Sequence, residues 1–185
     1  IMYGLTNNPY FAGYEAGADH FVNTMFTFDT DNKLTGMIVN VPCPSQLSEH
    51  FKKLSADYWC EVKEGIAKEF GEDVYVLPQC AAAGDLSPRI LHYKDAQWRR
   101  FKLKYGAEGT AEDFKNSRNI ERVLCERRDI AERIVNSVKE IYSWAKNDIQ
   151  SEVPVKHIRM DTSLTRRNIP EEELKVCKEN IKWLK

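Results

Sequence analysis

Hydrophobic and polar positions alternate over the first part of the chain and then change period. The segments Phe21 to Asp29 and Leu34 to Val41 read as strands joined by the polar turn Asp29-Thr-Asp-Asn-Lys33, which makes a hairpin. Beyond a loop from Pro42 to Lys53 the period lengthens. Trp59, Val62, Ile66 and Phe70 recur at three- and four-residue spacing, so a helix capped by Ser55 runs to Phe70 and stops at Gly71. Val74 to Leu77 is dense in branched and aromatic residues, as a buried strand over 73–78 requires. Strand, helix and strand in that order form a right-handed crossover unit with strands 34–41 and 73–78 parallel. Their carboxyl ends then point the same way, and the loops Pro42 to Gln46 and Ala81 to Ser87 share one rim of the sheet.

Further on, Ile130, Ile134, Val138, Ile141 and Ala145 form an apolar stripe on a helix over Glu126 to Lys146, which belongs against the sheet. Val153 to Leu164 reads as another strand. Pro170 opens a last helix, with Glu171, Glu172 and Glu173 near its positive end. Ile1 to Ala18, rich in Gly, Asn and Tyr without a period, reads as an irregular arm. The fold expected is α/β, a mixed sheet built from a β-hairpin plus βαβ crossover units and packed by helices.

Composition narrows the partners. A chain of 185 residues with 42% hydrophobic content buries a core without cross-links, and no linker-like stretch interrupts it, so residues 1–185 are expected to form a single α/β domain. Basic and acidic residues number 27 and 28, a formal charge of -1, and no broad positive field exists to draw nucleic acid. The stretch Arg89 to Gly109 interleaves basic and aromatic residues, among them Trp98, Arg99, Arg100, Phe101 and Lys102. That pattern suits an anionic partner. The near-neutral total favours a solvated, loop-rich excursion whose aromatics pack onto the body. No run of about 18 apolar residues is present to span a bilayer, and the amino terminus lacks the basic-then-apolar order of a signal peptide. The five cysteines, Cys43, Cys60, Cys80, Cys125 and Cys177, show no Cys-x-x-Cys spacing and read mostly as buried, inert thiols.

The candidate chemistry sits at the end of the second parallel strand. Small residues from Ala81 to Gly84 leave room for a close approach, and Ser87 follows at the strand end. Ser before Pro is also the ordinary signature of a helix start, with Ser87 as N-cap and Pro88 in the first turn. Histidine is the usual partner of a serine nucleophile, and the chain has His20, His50, His92 and His157. His50 lies in the loop expected to share the rim with Ser87, so Cys43, Ser45 and His50 form a possible pocket beside it. Asp85 reads as a turn residue whose carboxylate accepts backbone N–H groups.

Gly84-Asp85-Leu86-Ser87-Pro88 resembles the Gly-Asp-x-Ser-Pro segment of the neutral and alkaline, non-lysosomal ceramidases. Upstream, Leu34 to Val41, Pro42-Cys-Pro-Ser45 and Leu54-Ser-Ala-Asp57 follow the order of that family's strand, its His-Gly-Thr-Ser loop and its Ser-Ser-Asp helix start. Downstream, Thr165-Arg-Arg167 and Ile169-Pro-Glu-Glu172 resemble its Arg-Arg turn and acidic helix start. The likeness spans Phe21 to Glu173, and the Gly-Asp-x-Ser-Pro segment is its distinctive part.

The resemblance implies an amidase that cuts the N-acyl bond of a sphingolipid-type substrate. Zinc is implied in the catalytic centre, with the motif serine, Ser87, as nucleophile and Gly84, Asp85 and Pro88 shaping its turn. The family's loop histidine has no counterpart here, because Pro42 to Ser45 stand in its place with Cys43 at the glycine position. The other implied ligands fall outside these residues, so zinc is expected in an intact parent and not in this chain. Beginning at Ile1 and stopping at Lys185 inside a helical pattern, the chain is expected to be a piece of a larger ceramidase-like protein. Its implied partners are a lipid-like amide substrate and the remainder of that parent, in an extracytoplasmic compartment by family analogy. The alternative expectation is a non-catalytic ceramidase-like binding or structural module that has lost a metal ligand.

Overall fold

The structure, a computed structural model, describes residues 13, 17–89, 93–116 and 118–183. The chain divides between residues 149 and 150 into two compact units. In the first, strands β1 (Asn23–Phe28), β2 (Leu34–Val41) and β3 (Tyr75–Cys80) form a mixed sheet in the order β1-β2-β3. β1 and β2 are antiparallel, and β2 and β3 are parallel with Gly36 opposite Tyr75 and Val41 opposite Cys80. Helix α1 (Trp59–Phe70) connects the parallel pair, so the hairpin and one crossover unit build an α/β fold as the sequence pattern predicts.

The hairpin turn is held by the Asp29 carboxylate, which accepts from the backbone N–H groups of Asp31 (3.0 Å) and Lys33 (2.8 Å). Next to the turn, Phe28 pairs with Leu34 while Thr27 pairs with Gly36, leaving Thr35 as an extra residue in β2. That bulge changes the side-chain parity. Leu34 therefore faces the same way as Met37, Val39 and Val41, and all four are buried.

The main core lies on this face. Trp59, Val62 and Ile66 of α1 and Val123, Ala131, Ile134 and Val138 of α4 (Ile120–Ala145) pack with the four β2 residues. Tyr142 of α4 meets Phe26 of β1 edge-on at 5.3 Å and Phe70 of α1 edge-on at 5.1 Å, which ties the long helix to both neighbours. α4 begins six residues before the expected Glu126. Asn119 caps it by accepting from the Arg122 N–H (2.9 Å), and the buried Arg122 and Glu126 pair one turn apart at 2.9 Å. α1 begins at Trp59, four residues after Ser55. The Ser55 hydroxyl instead accepts from the Asp57 N–H (3.0 Å) in a turn that precedes the helix.

Several expectations are corrected. No residue of β3 is buried, because among the described residues it is an edge strand paired on one side only, where a buried strand was expected. Cys60, Cys80 and Cys177 are exposed where mostly buried thiols were expected, and Cys125 alone of the five is buried. The basic and aromatic stretch forms helix α2 (Lys94–Tyr105) where a loop-rich excursion was expected. Its aromatics do pack inward: Trp98 and Phe101 join Ala107, Cys125 and Phe114 of α3 (Ala111–Lys115) in a second, smaller core. In the second unit Val153 to Leu164 is not a strand and has no regular structure. Its apolar side chains stay in solvent, Val155 at 92% and Leu164 at 89% exposure. Alternation alone does not make a strand without a partner ladder, and Pro154 removes one donor. Helix α5 (Glu171–Trp183) follows Pro170 as its acidic start predicts. Among the described residues no helix is long and apolar enough to cross a membrane.

Candidate functional site

The parallel pairing of β2 and β3 brings the two predicted loops together. One carbonyl oxygen, that of Val41, accepts from the N–H of Cys43 (2.8 Å) and from the N–H of Ala81 (3.0 Å). The loop leaving β2 and the loop leaving β3 thus start from a shared hydrogen bond at the carboxyl end of the sheet. Ala83 to Leu86 then makes a β-turn closed by Leu86 N–H to the Ala83 carbonyl (3.1 Å), with Gly84 and Asp85 at its corners. A Cβ built on Gly84 meets nothing within 4 Å, so the turn is open on that side. Asp85 is exposed, and among the described residues its carboxylate accepts no backbone N–H, contrary to the expected turn-holding role.

Ser87 is half-buried, and its Oγ is shielded from water without a hydrogen-bond partner among the described residues. It does not cap a helix, because α2 starts later with Tyr93 at the N-cap position. Neither does its hydroxyl stand in open space. Pro88 beside it is half-buried, and Arg89 reaches back to the short 3-10 turn Glu49–Phe51. The Arg89 guanidinium pairs with the Glu49 carboxylate and donates to His50 Nε2 at 3.1 Å. A guanidinium has no acceptor, so Nε2 of His50 receives that bond and its lone pair is engaged. His50 is therefore on the shared rim but is not poised to take a proton from Ser87. Ser45 is exposed, His20 and His157 are exposed, and His92 lies outside the described residues.

The other side of the rim is fixed by residues that periodicity does not single out. Asp57 is buried with a left-handed backbone (φ 54), and its carboxylate accepts from Ser48 N–H (2.6 Å) and Tyr58 N–H (2.9 Å). Tyr58, fully buried, donates its hydroxyl to the Cys43 carbonyl at 2.5 Å. Asp57 and Tyr58 thereby clamp the 42–48 loop to the start of α1. The signal present in the sequence was Ser55-Ala-Asp57, a side-chain-to-backbone turn pattern ahead of an apolar run. Ser48 is 6% exposed and its Oγ, like that of Ser87, is buried and unpartnered. Two such hydroxyls in one region are unusual, because buried polar atoms are nearly always bonded.

Electrostatics keep the thiol and phenol of the rim neutral. Burial pushes the Cys43 thiol above its ordinary value, and the neighbouring Cys80 and Asp57 add to the shift against the lowering effect of Tyr58. Burial likewise raises the Tyr58 phenol, with Cys43, Cys80 and Asp57 adding to it. A catalytic zinc needs about three protein ligands. Among the described residues no group of three His, Cys, Asp or Glu side chains lies together. What the rim offers is a shielded hydroxyl at the tip of an open turn, two cysteines at the ends of adjacent strands, and an Arg-Glu-His cluster bracing the turn. Comparison of the chain with protein-family models, with curated proteins and with solved structures yields no match.

Proposed function

We propose that the chain carries the reactive serine of a ceramidase-like hydrolase acting on the N-acyl amide bond of a sphingolipid-type substrate, incomplete in these 185 residues, with Ser87 supplying the attacking hydroxyl. One observation carries the reading: the Gly84–Pro88 segment stands on the same rim as the Cys43 loop, at the carboxyl ends of parallel strands, joined through the Val41 carbonyl. The unpartnered Ser87 Oγ supports it. A buried hydroxyl left without a partner costs about 1–3 kcal/mol, so alanine would fill a purely structural position at less cost. In the reaction Ser87 Oγ adds to the amide carbonyl, and its proton ends on the departing sphingoid amine, leaving an acyl-serine ester. Water then cleaves the ester, releases the fatty acid and restores the hydroxyl. The attack requires the 81–89 loop to turn the Ser87 hydroxyl outward, and no step is routed through a metal.

A second reading, a non-catalytic ceramidase-like lipid-binding module, is favoured by the engagement of His50 with Arg89. Incubation with a fluorogenic N-acyl sphingoid amide separates the two. The hydrolase reading expects fatty-acid release by the intact parent protein that is abolished in Ser87→Ala while the melting temperature does not fall. Saturable binding without release in the wild-type protein supports the module. Undiminished release by the variant removes Ser87 from the mechanism.

A further inference from the structure

Outside the serine chemistry, the same rim brings two cysteines together. Cys80 ends β3 opposite Val41, and parallel neighbours stand about 4.8 Å apart. Cys43 lies two residues beyond Val41, and the chain folds back there, because the Cys43 N–H bonds the Val41 carbonyl that also receives Ala81 N–H, next to Cys80. By strand parity Cys80 is on the face of Val41, Val76 and Pro78, and Cys43 packs against the core on that face. The electrostatic influence of Cys80 on the Cys43 thiol, and of both cysteines on the Tyr58 phenol, agrees with this closeness.

We propose that Cys43 and Cys80 are a dithiol site that low-molecular-weight disulfides convert to an intramolecular disulfide, locking the Cys43 loop to the Ser87 loop. Disulfide geometry asks for Cα separations of about 4.4–6.8 Å, a range that the ladder spacing at Val41 and Cys80 makes accessible to a residue folded back beside Val41. The chemistry follows from accessibility. Exposed Cys80, as its thiolate, attacks glutathione disulfide, forming a mixed disulfide and releasing one glutathione thiolate. Half-buried Cys43 then loses its proton and attacks the Cys80 sulfur, releasing the second glutathione. Two protein thiols are oxidised and one glutathione disulfide is reduced to two thiols. Both cysteines are free in the structure, so this is the reduced state. The site rests on the packing of the rim alone and stands whether or not Ser87 is a nucleophile.

The test is mass spectrometry of the protein after equilibration with glutathione disulfide and trapping of the remaining thiols. Trypsin places Cys43 in the peptide 34–52 and Cys80 in the peptide 69–89, each with a single cysteine. The expected product is those two peptides cross-linked, with Cys60, Cys125 and Cys177 left as thiols or simple adducts. Cys43→Ser should hold glutathione on Cys80 as a lasting adduct, and Cys80→Ser should leave Cys43 unmodified. Circular dichroism of both variants establishes that they are folded. Lasting glutathionylation of Cys80 in the folded wild-type protein without the cross-link overturns the proposal, and so does a cross-link joining either residue to Cys60 or Cys177.

Discussion

The hydroxyl of Tyr58 donates to the carbonyl of Cys43 at 2.5 Å, fastening the N-cap residue of α1 to the loop that leaves β2. Tyr58 is fully buried, and its backbone N–H is in turn held by the Asp57 carboxylate. The rim on one side of Ser87 is thus a braced structure, while the turn over Gly84 and Asp85 on the other side is open.

Removing that brace has two measurable effects. Tyr58→Phe deletes one hydrogen bond from a buried site and should lower stability by about 1 kcal/mol, read as a shift in the urea midpoint. It should also speed alkylation of Cys43 by a neutral maleimide, because the loop is freed. An unchanged midpoint together with an unchanged alkylation rate would show that the Tyr58 hydroxyl carries no load.

Close approach of α1 and α4 gives a second prediction. A Cβ on Gly65 would stand 2.8 Å from Cγ2 of Val135, whose branched side chain is stiff at χ1. Gly65→Ala should therefore destabilise the protein by about 1–3 kcal/mol from overpacking, offsetting the helix propensity it gains of about 1 kcal/mol. Adding Val135→Ala should restore a large part of the loss, and a double-mutant cycle in urea measures the coupling. Strict additivity of the two substitutions would contradict the geometry.

The acid limb of stability reports on Asp129. Burial pushes its carboxyl up, but the guanidinium groups of Arg100 and Arg133 together outweigh burial and hold it below the ordinary carboxylate value. A depressed folded value means that the contribution is fully present above the unfolded pKa of about 3.9 and is lost as pH falls through the lower folded value. Glu126 on the same helix works in the opposite sense, since burial raises it against the lowering effect of Arg122. Asp129→Asn should thus be less stable than wild type at neutral pH, with the gap closing at acid pH. Urea midpoints across that range test it, and a gap that stays constant would remove Asp129 from the acid response.

Much of the first unit was legible because its patterns are local. The hairpin, α1 and the stripe of α4 each follow from a period of two or of three to four, β3 follows from its density of branched and aromatic residues, and the parallel pairing of β2 and β3 follows from their order. Where the outcome depended on distant neighbours, periodicity ran out. Val153 to Leu164 alternates like a strand, yet no ladder takes it, and α2 forms because Trp98 and Phe101 have Phe114 and Cys125 to pack on. The site shows the same division. Sharing of a rim by the Cys43 and Ser87 loops was readable from topology. The burial of Ser87 Oγ, the capture of His50 by Arg89 and the Asp57 clamp were not, since each depends on contacts between segments that no spacing rule connects.

A fluorophosphonate probe reads out whether the Ser87 hydroxyl is a nucleophile on the rim where the Cys43 and Ser87 loops meet. After incubation of the native protein with the probe, peptide mapping should find one phosphonylated residue, Ser87, and heat-denatured protein should show none. Native protein that remains unlabelled at Ser87, or a Ser87→Ala variant labelled to the same extent, would contradict the account.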